Sequence, residues 1–182
     1  MATSSHSPHA LRASSARCIR NPAAGRLGAA VTLALMLLSA LPASRAHAQS
    51  DDRAVTAVVM HFFDGMRSRD TALLRSTVVP STVLVTMSAT TGLGDPAPID
   101  QFIDRVGKGA GPGGDEQIKD PKIMSDGAMA ALWAYFTYTR GGQTVINHCG
   151  IDLFLLRKGP DGWKVFYIAD THRTEGCTPI TK

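Results

Sequence analysis

The stretch "HCGIDLFLLRKGPDGWKVFYIADTH", from His148 to His172, carries His148 and Asp152 near one end and Asp170 and His172 at the other. These are residue types that move protons. An imidazole titrates close to neutrality, and a carboxylate beside it orients the ring and sets its charge. Two aspartates held side by side repel, and sharing a proton or pairing with a histidine relieves the repulsion. His148, Asp152 and His172 also have the chemistry of metal ligands, but a zinc site needs three or four converging donors. No His-x-x-x-His or paired-cysteine spacing accompanies them, so no metal is expected. Neither Cys149 nor Cys177 stands in a nucleophile's context, no Gly-x-Ser-x-Gly elbow occurs, and no cofactor is expected. "GKGAGPGGD" (Gly107 to Asp115) lacks phosphate-loop order and has no Ser or Thr after its lysine; it reads as a flexible loop or lid.

Whether the four residues meet depends on hairpin register. From Glu116 onward the sequence alternates as long strands broken at Ser125-Asp126-Gly127, Gly141-Gly142 and Gly159-Pro160-Asp161-Gly162, where glycine supplies the positive φ of tight turns. A three-residue Pro160-Asp161-Gly162 turn pairs Gly159 with Trp163 and sets Asp152 opposite Asp170 and Gly150 opposite His172. A two-residue Gly141-Gly142 turn sets His148 opposite Tyr135 and Gly150 opposite Trp133. Alternation then collects Trp133, Tyr135, His148, Asp152, Phe154, Phe166, Ile168, Asp170 and His172 on one face. Leu132, Ala134, Phe136, Cys149, Ile151, Leu153, Val165, Tyr167 and Ala169 fall on the other. The first face grades from apolar to polar, as a pocket does: His148, Asp152, Asp170 and His172 are the candidate catalytic set, and Trp133, Tyr135, Phe154, Phe166 and Ile168 the candidate ligand-binding wall. Gly150 leaves room for a ligand or the Trp133 ring. The alternative packs the second face on the helices and leaves the His/Asp face to solvent or a dimer interface.

Three helices are expected ahead of these strands. Asp51 and Asp52 can cap one whose stripe is Val55, Val58, Val59, Phe62, Phe63 and Met66; His61 falls on its surface. Asp70 caps a second, "TALLRSTVV", stopped by Pro80. After a strand at Thr82 to Met87, a third runs around Ile99 to Val106. The architecture is α+β: three helices on a long, strongly curved, mainly antiparallel sheet, a cone-like half barrel in a single domain over residues 49–182.

Residues 1–48 read differently. They hold five arginines, no acid, and the run "LGAAVTLALMLLSALPASRAHAQ" ending in Ala46-His47-Ala48. That is the pattern of a secretory signal cut before Gln49, with an uncleaved anchor as the alternative; Leu27 to Leu41 falls short of the about 20 apolar residues of a membrane span. Export to the periplasm or medium is the expectation, with no stable membrane insertion after cleavage. The remainder has fourteen basic residues (19 less the leader's five) against 15 acidic ones, so no basic surface points to nucleic acid. Cys149 and Cys177 are the two cysteines left, an even number suited to an oxidising compartment, and either a disulfide or two thiols fits.

The order of elements resembles the nuclear transport factor 2-like superfamily, also called polyketide-cyclase-like or SnoaL-like, through "FFDGMRSRDTALLRS" (Phe62 to Ser76), "HCGIDLF" (His148 to Phe154) and "GPDGWKVFYIADTHR" (Gly159 to Arg173). The resemblance implies a cone-shaped α+β barrel. It also implies a range of roles from isomerases, dehydratases and cyclases to noncatalytic binding and association domains. No catalytic set of those enzymes maps onto this chain. The expected function is therefore an exported domain that binds a small molecule. The alternatives are a cofactor-independent acid–base enzyme using the His/Asp cluster, and a dimerisation or protein-interaction module.

Overall fold

The computed structural model of the protein describes residues 43–88 and 90–180. Of the expected leader, residues 1–42 lie outside the described residues.

Helix α1 spans Ala43–Ser68. Its stripe of Val55, Val59, Phe62, Phe63 and Met66 is buried, as the spacing predicts. Its start is not where the sequence suggests. The small, alanine-rich residues before Gln49 are good helix formers, so the helix passes through Asp51 and Asp52 without a cap there. Asp51 instead accepts from Lys158 Nζ (2.7 Å) and Trp163 Nε1 (3.4 Å), tying α1 to the far hairpin. At the other end Asp70 N–H bonds Gly65 O and Arg69 N–H bonds Met66 O. This is the Schellman pattern, with Arg69 at φ 55° in the left-handed position that glycine usually takes. Asp70 then caps α2 (Thr71–Thr77), accepting from Ala72 and Leu73 N–H. The helix stops short of Val79 because a residue before proline is driven to extended backbone, and β1 (Val78–Ser88) starts there.

After the short pairings β2 (Gly92–Leu93) and β3 (Ala97–Pro98) comes α3 (Ile99–Lys108). Strands β4 (Asp115–Asp126), β5 (Met129–Thr139), β6 (Ile146–Gly159) and β7 (Gly162–His172) form a meander. The sheet order is β2-β1-β7-β6-β5-β4, with β3 also on β1. Only β1 and β7 among these pairs run parallel. The result is the expected α+β architecture, three helices on a curved, mainly antiparallel sheet. Register shifts at Lys119/Lys122, Tyr138/Thr139 and Leu155/Leu156 supply local bend. The core lies between helices and concave face, where Phe154 meets Phe62 and Phe63 edge-on at 5.8 and 5.7 Å.

Three expectations about turns fail, each for a local reason. Pro160-Asp161 is a two-residue turn, with Gly159 opposite Gly162, and the bulge at Leu155/Leu156 restores the register so that Asp152 does face Asp170. Residues 140–145 form the whole β5–β6 loop, and with its bulge the register moves by three, to Tyr138 opposite His148 and Phe136 opposite Gly150. An odd shift reverses every side chain of β5 relative to β6. The loop after α3 is not a free lid: the Arg69 guanidinium donates to the carbonyls of Val106 (2.7 Å), Gly111 (2.8 Å), Pro112 (3.2 Å) and Ala110 (3.4 Å).

Candidate active site in the cone

The concave face is built in rows. Leu132, Phe154, Ile168 and Leu84 lie in register and close the base. The next row is polar: Ala134, Asp152, Asp170 and Thr86. Beyond it come Ile118, Phe136 and Gly150, then Glu116, Tyr138 and His148. Over the polar rows opens a cavity of about 430 Å³. Glu116, His148, Asp170 and His172 line it, as do Met66 and Arg69 from the end of α1, Phe102, Arg105 and Val106 from α3, and Arg140 and Asn147 beside the β5–β6 loop. Arg67 holds β4 against α1 by donating to Asp115 Oδ1 (2.9 Å) and to the Glu116 carbonyl (3.1 Å).

The four residues singled out from sequence are brought together. His172 Nε2 and Asp170 Oδ2 are 2.7 Å apart. The His148 ring lies 4.1 Å from that of His172, centroid to centroid, and stacks on Tyr138 at 4.6 Å. Asp152 is 2% exposed and lies under the cavity floor rather than on it. Its Oδ2, and Oδ1 of Asp170, are buried without a hydrogen-bond partner.

Their charges follow from these contacts. The bond to Asp170 raises His172 above its usual value against the effect of burial, so this imidazole favours the cation. Burial, the charge of His172 beside it and that of Arg140 together push His148 down to about 4, so it is neutral at physiological pH. Burial and the neighbouring Glu116 hold Asp152 well above the usual carboxylate range. Burial raises Glu116 to about 7, opposed by its hydrogen bond with Asp152. The site thus holds a neutral imidazole at His148, an imidazole at His172 that its bond to Asp170 biases toward the cation, and two carboxyls, Glu116 and Asp152, biased toward holding a proton. A group poised near 7 on a cavity wall can give or take a proton there.

Glu116 is absent from the sequence-based set. Its signal lies in "DEQIKDP": Pro121 inside a strand marks a bulge, and with that bulge Glu116 faces inward beside Tyr138.

The candidate ligand wall needs correction. Trp133 is 48% exposed on the convex face, and Tyr135 is on that face too, its hydroxyl accepting from Thr178 N–H and donating to the Thr178 carbonyl. Both were turned outward by the odd register shift of β5. Phe154 and Ile168 face inward but are sealed in the core below the cavity. Phe166 falls at the β7 bulge and takes no part in the cavity lining. The same bulge brings Val165 into the core, against the expected alternation. Leu132, Ala134 and Phe136, expected on the opposite face, are the inward residues of β5. Gly150 makes room neither for a ligand nor for Trp133. A Cβ there would stand 1.6 Å from the carbonyl oxygen of Thr171, whose hydroxyl accepts from Ile151 N–H.

Cys149 and Cys177 are joined in a disulfide with Cα atoms 5.6 Å apart. Together with the Cys149–Arg173 bridge, it fastens the chain after His172 to β6. Among the described residues no group of three or more His, Cys, Asp or Glu is arranged to hold a metal ion, and no helix is long and apolar enough to cross a membrane.

No family model matches the chain, and no curated protein shows similarity to it. Solved structures do. A nuclear transport factor 2-like protein with a cystatin-like fold from Novosphingobium aromaticivorans superposes with a TM-score of 0.57 at 15% identity, over 74% of this chain and 89% of that one. A nuclear transport factor 2-like protein of unknown function from Shewanella baltica gives 0.54 at 16% identity, over 69% and 96%. Another of unknown function, from Methylobacillus flagellatus, gives 0.52 at 17% identity, over 69% and 94%. Such identities establish architecture and leave chemistry to the site. The chain has the nuclear transport factor 2-like, cystatin-like fold.

Proposed function

We propose that the chain is an exported domain that takes a small, partly apolar molecule into the cone and moves protons on it without a cofactor. One observation carries the acid–base reading beyond simple binding. Glu116, held by burial at about 7, shares the cavity with the neutral ring of His148. A base at Glu116 and a donor or acceptor at His148 are the groups that isomerisation or dehydration requires. Asp170 orients His172 through their 2.7 Å contact and raises the ring's affinity for a proton, which favours stabilisation of developing negative charge. The basic and apolar leader and the Cys149–Cys177 bond support export. The test is elimination of 5-nitrobenzisoxazole, a general probe for a desolvated carboxylate base. The chain should accelerate it with a rate that rises through pH 7, and Glu116→Gln should remove the acceleration. Wild-type protein no faster than free acetate would sink the acid–base reading.

A second reading rests on the convex face, where Trp133 is 48% and Met87 36% exposed. Alternation places Ile151, Leu153 and Tyr167 on the same side, an apolar strip suited to a second copy of the chain. Light scattering should then report a dimer, weakened by Trp133→Ser; a monomer at high concentration would count against it.

A further inference from the structure

We propose that the cone selects an amphipathic anion: an apolar body bearing a carboxylate that Arg105 and Arg140 hold at the mouth. This rests on the cavity being a small-molecule site and names the class of molecule.

Three arginines line the cavity, and they are not equivalent. Arg69 is spent on four backbone carbonyls, that of Val106 at the end of α3 and three in the loop after it. Arg105 is exposed, with its guanidinium carbon 5.9 Å from the Phe102 ring centroid. Arg140, at the start of the β5–β6 loop, is exposed too. Among the described residues neither has an ion pair, whereas Arg67 and Arg75 each have two. The cavity acids lie on the sheet: Asp170 is paired with His172, and Glu116 is associated with Asp152. The cavity's two unpaired arginines therefore lie on α3 and the loop, and its carboxyls lie on the sheet, where His172 sits beside Asp170. Met66, Leu84, Phe102 and Val106 complete the lining as its apolar part.

A ligand that satisfies this arrangement has three parts in order. A carboxylate meets the guanidinium forks, which match its geometry. An apolar segment of phenyl or short alkyl size lies against Phe102 and Val106. The far end meets Glu116 and His148. A cationic ligand would place its charge against the arginines, and a neutral one would leave them unused. Arg140 already acts on His148 through its charge, so an anion at Arg140 should ease protonation of His148.

The experiment titrates the full chain with 3-phenylpropionate and with its neutral amide. Binding is followed through the ring C–H proton signals of His148 and His172, assigned with His148→Gln and His172→Gln. The acid should bind roughly ten-fold more tightly than the amide, the scale of one charge-assisted pair, and should raise the His148 pKa. In the Arg105→Gln/Arg140→Gln double variant the preference should vanish while the amide binds as before. Equal binding of acid and amide to the wild type would overturn the inference and leave the cavity reading standing. So would an acid preference that survives in the double variant. If neither compound moves the histidine signals, the cavity reading falls with it.

Discussion

Glu116→Gln should make the protein more stable at pH 8 and leave it nearly unchanged at pH 4. Burial and its neighbours raise this carboxyl from 4.5 to about 7. A raised acid contributes stability that is fully present below the unfolded value and is lost as pH rises through the folded one. Between 4.5 and about 7 the unfolded chain has released the proton and the folded chain still holds it, so stability falls across that window and levels off above it. The whole interval corresponds to a ceiling of roughly 3 kcal/mol. Two effects lower the net gain from the substitution. His172, which the Glu116 charge helps to keep protonated, loses that support, and the new amide must find partners. The amide can donate to Asp152, whose Oδ2 is otherwise unpartnered. A gain of about 1–3 kcal/mol at pH 8 is expected. The depressed His148 acts in the opposite sense, removing stability as pH falls from 6.5 to about 4, but it is present in both proteins and cancels in the difference. Urea unfolding of both at pH 4, 6 and 8, with slopes compared, measures the effect. A difference that does not change with pH, or a variant less stable at pH 8, would refute the account of Glu116 as a half-buried, proton-holding group.

Other perturbations probe other supports of the site. Asp170→Asn should lower the His172 pKa, since the hydrogen bond to Asp170 is the largest cause of its rise; NMR titration of the ring reads it directly, and an unmoved pKa would contradict the pairing. Gly150→Ala should cost at least about 2 kcal/mol in urea unfolding, because its Cβ would overlap the Thr171 carbonyl. Arg69→Ala should leave the carbonyls of Val106 and residues 110–112 to water, and is expected to raise proteolysis and amide exchange in that loop well above the rates elsewhere. Cys149→Ala/Cys177→Ala opens a loop of sequence separation 28, for which chain entropy predicts a loss of about 3–4 kcal/mol.

The helices and the order of strands were legible because they follow from local chemistry. The stripe from Val55 to Met66 needs only the 3.6-residue period, and Asp70 caps its helix through bonds to Ala72 and Leu73 two and three residues away. The start of α1 is not legible locally, because two aspartates make a cap only if the preceding residues are not helical. Alanine-rich residues before Gln49 remove that condition. The loop after α3 reads as mobile from its glycines, and nothing local reveals that a left-handed Arg69, in another part of the chain, aims its guanidinium across it.

Register is where a sequence reading is most fragile, since each single-residue error exchanges inside for outside. In the β6–β7 hairpin two errors cancelled: the turn is one residue shorter than assumed and the bulge at Leu155/Leu156 returns the residue, so Asp152 faces Asp170 as expected. In β5–β6 nothing cancelled. The shift of three exchanged Trp133 and Tyr135 for Leu132, Ala134 and Phe136, and the ligand wall built on those rings went with it. His148, Asp152, Asp170 and His172 share a face as the alternation predicts, because all four belong to one hairpin whose parity was right. Glu116 belongs to β4, three hairpins away from β7, and its inward orientation depends on the bulge at Asp120-Pro121. Proton-transfer groups on one hairpin could therefore be read from alternation alone. The partner that lets Asp152 keep its proton required every intervening turn and bulge to be right, which is why the acid pair emerges only from the folded chain.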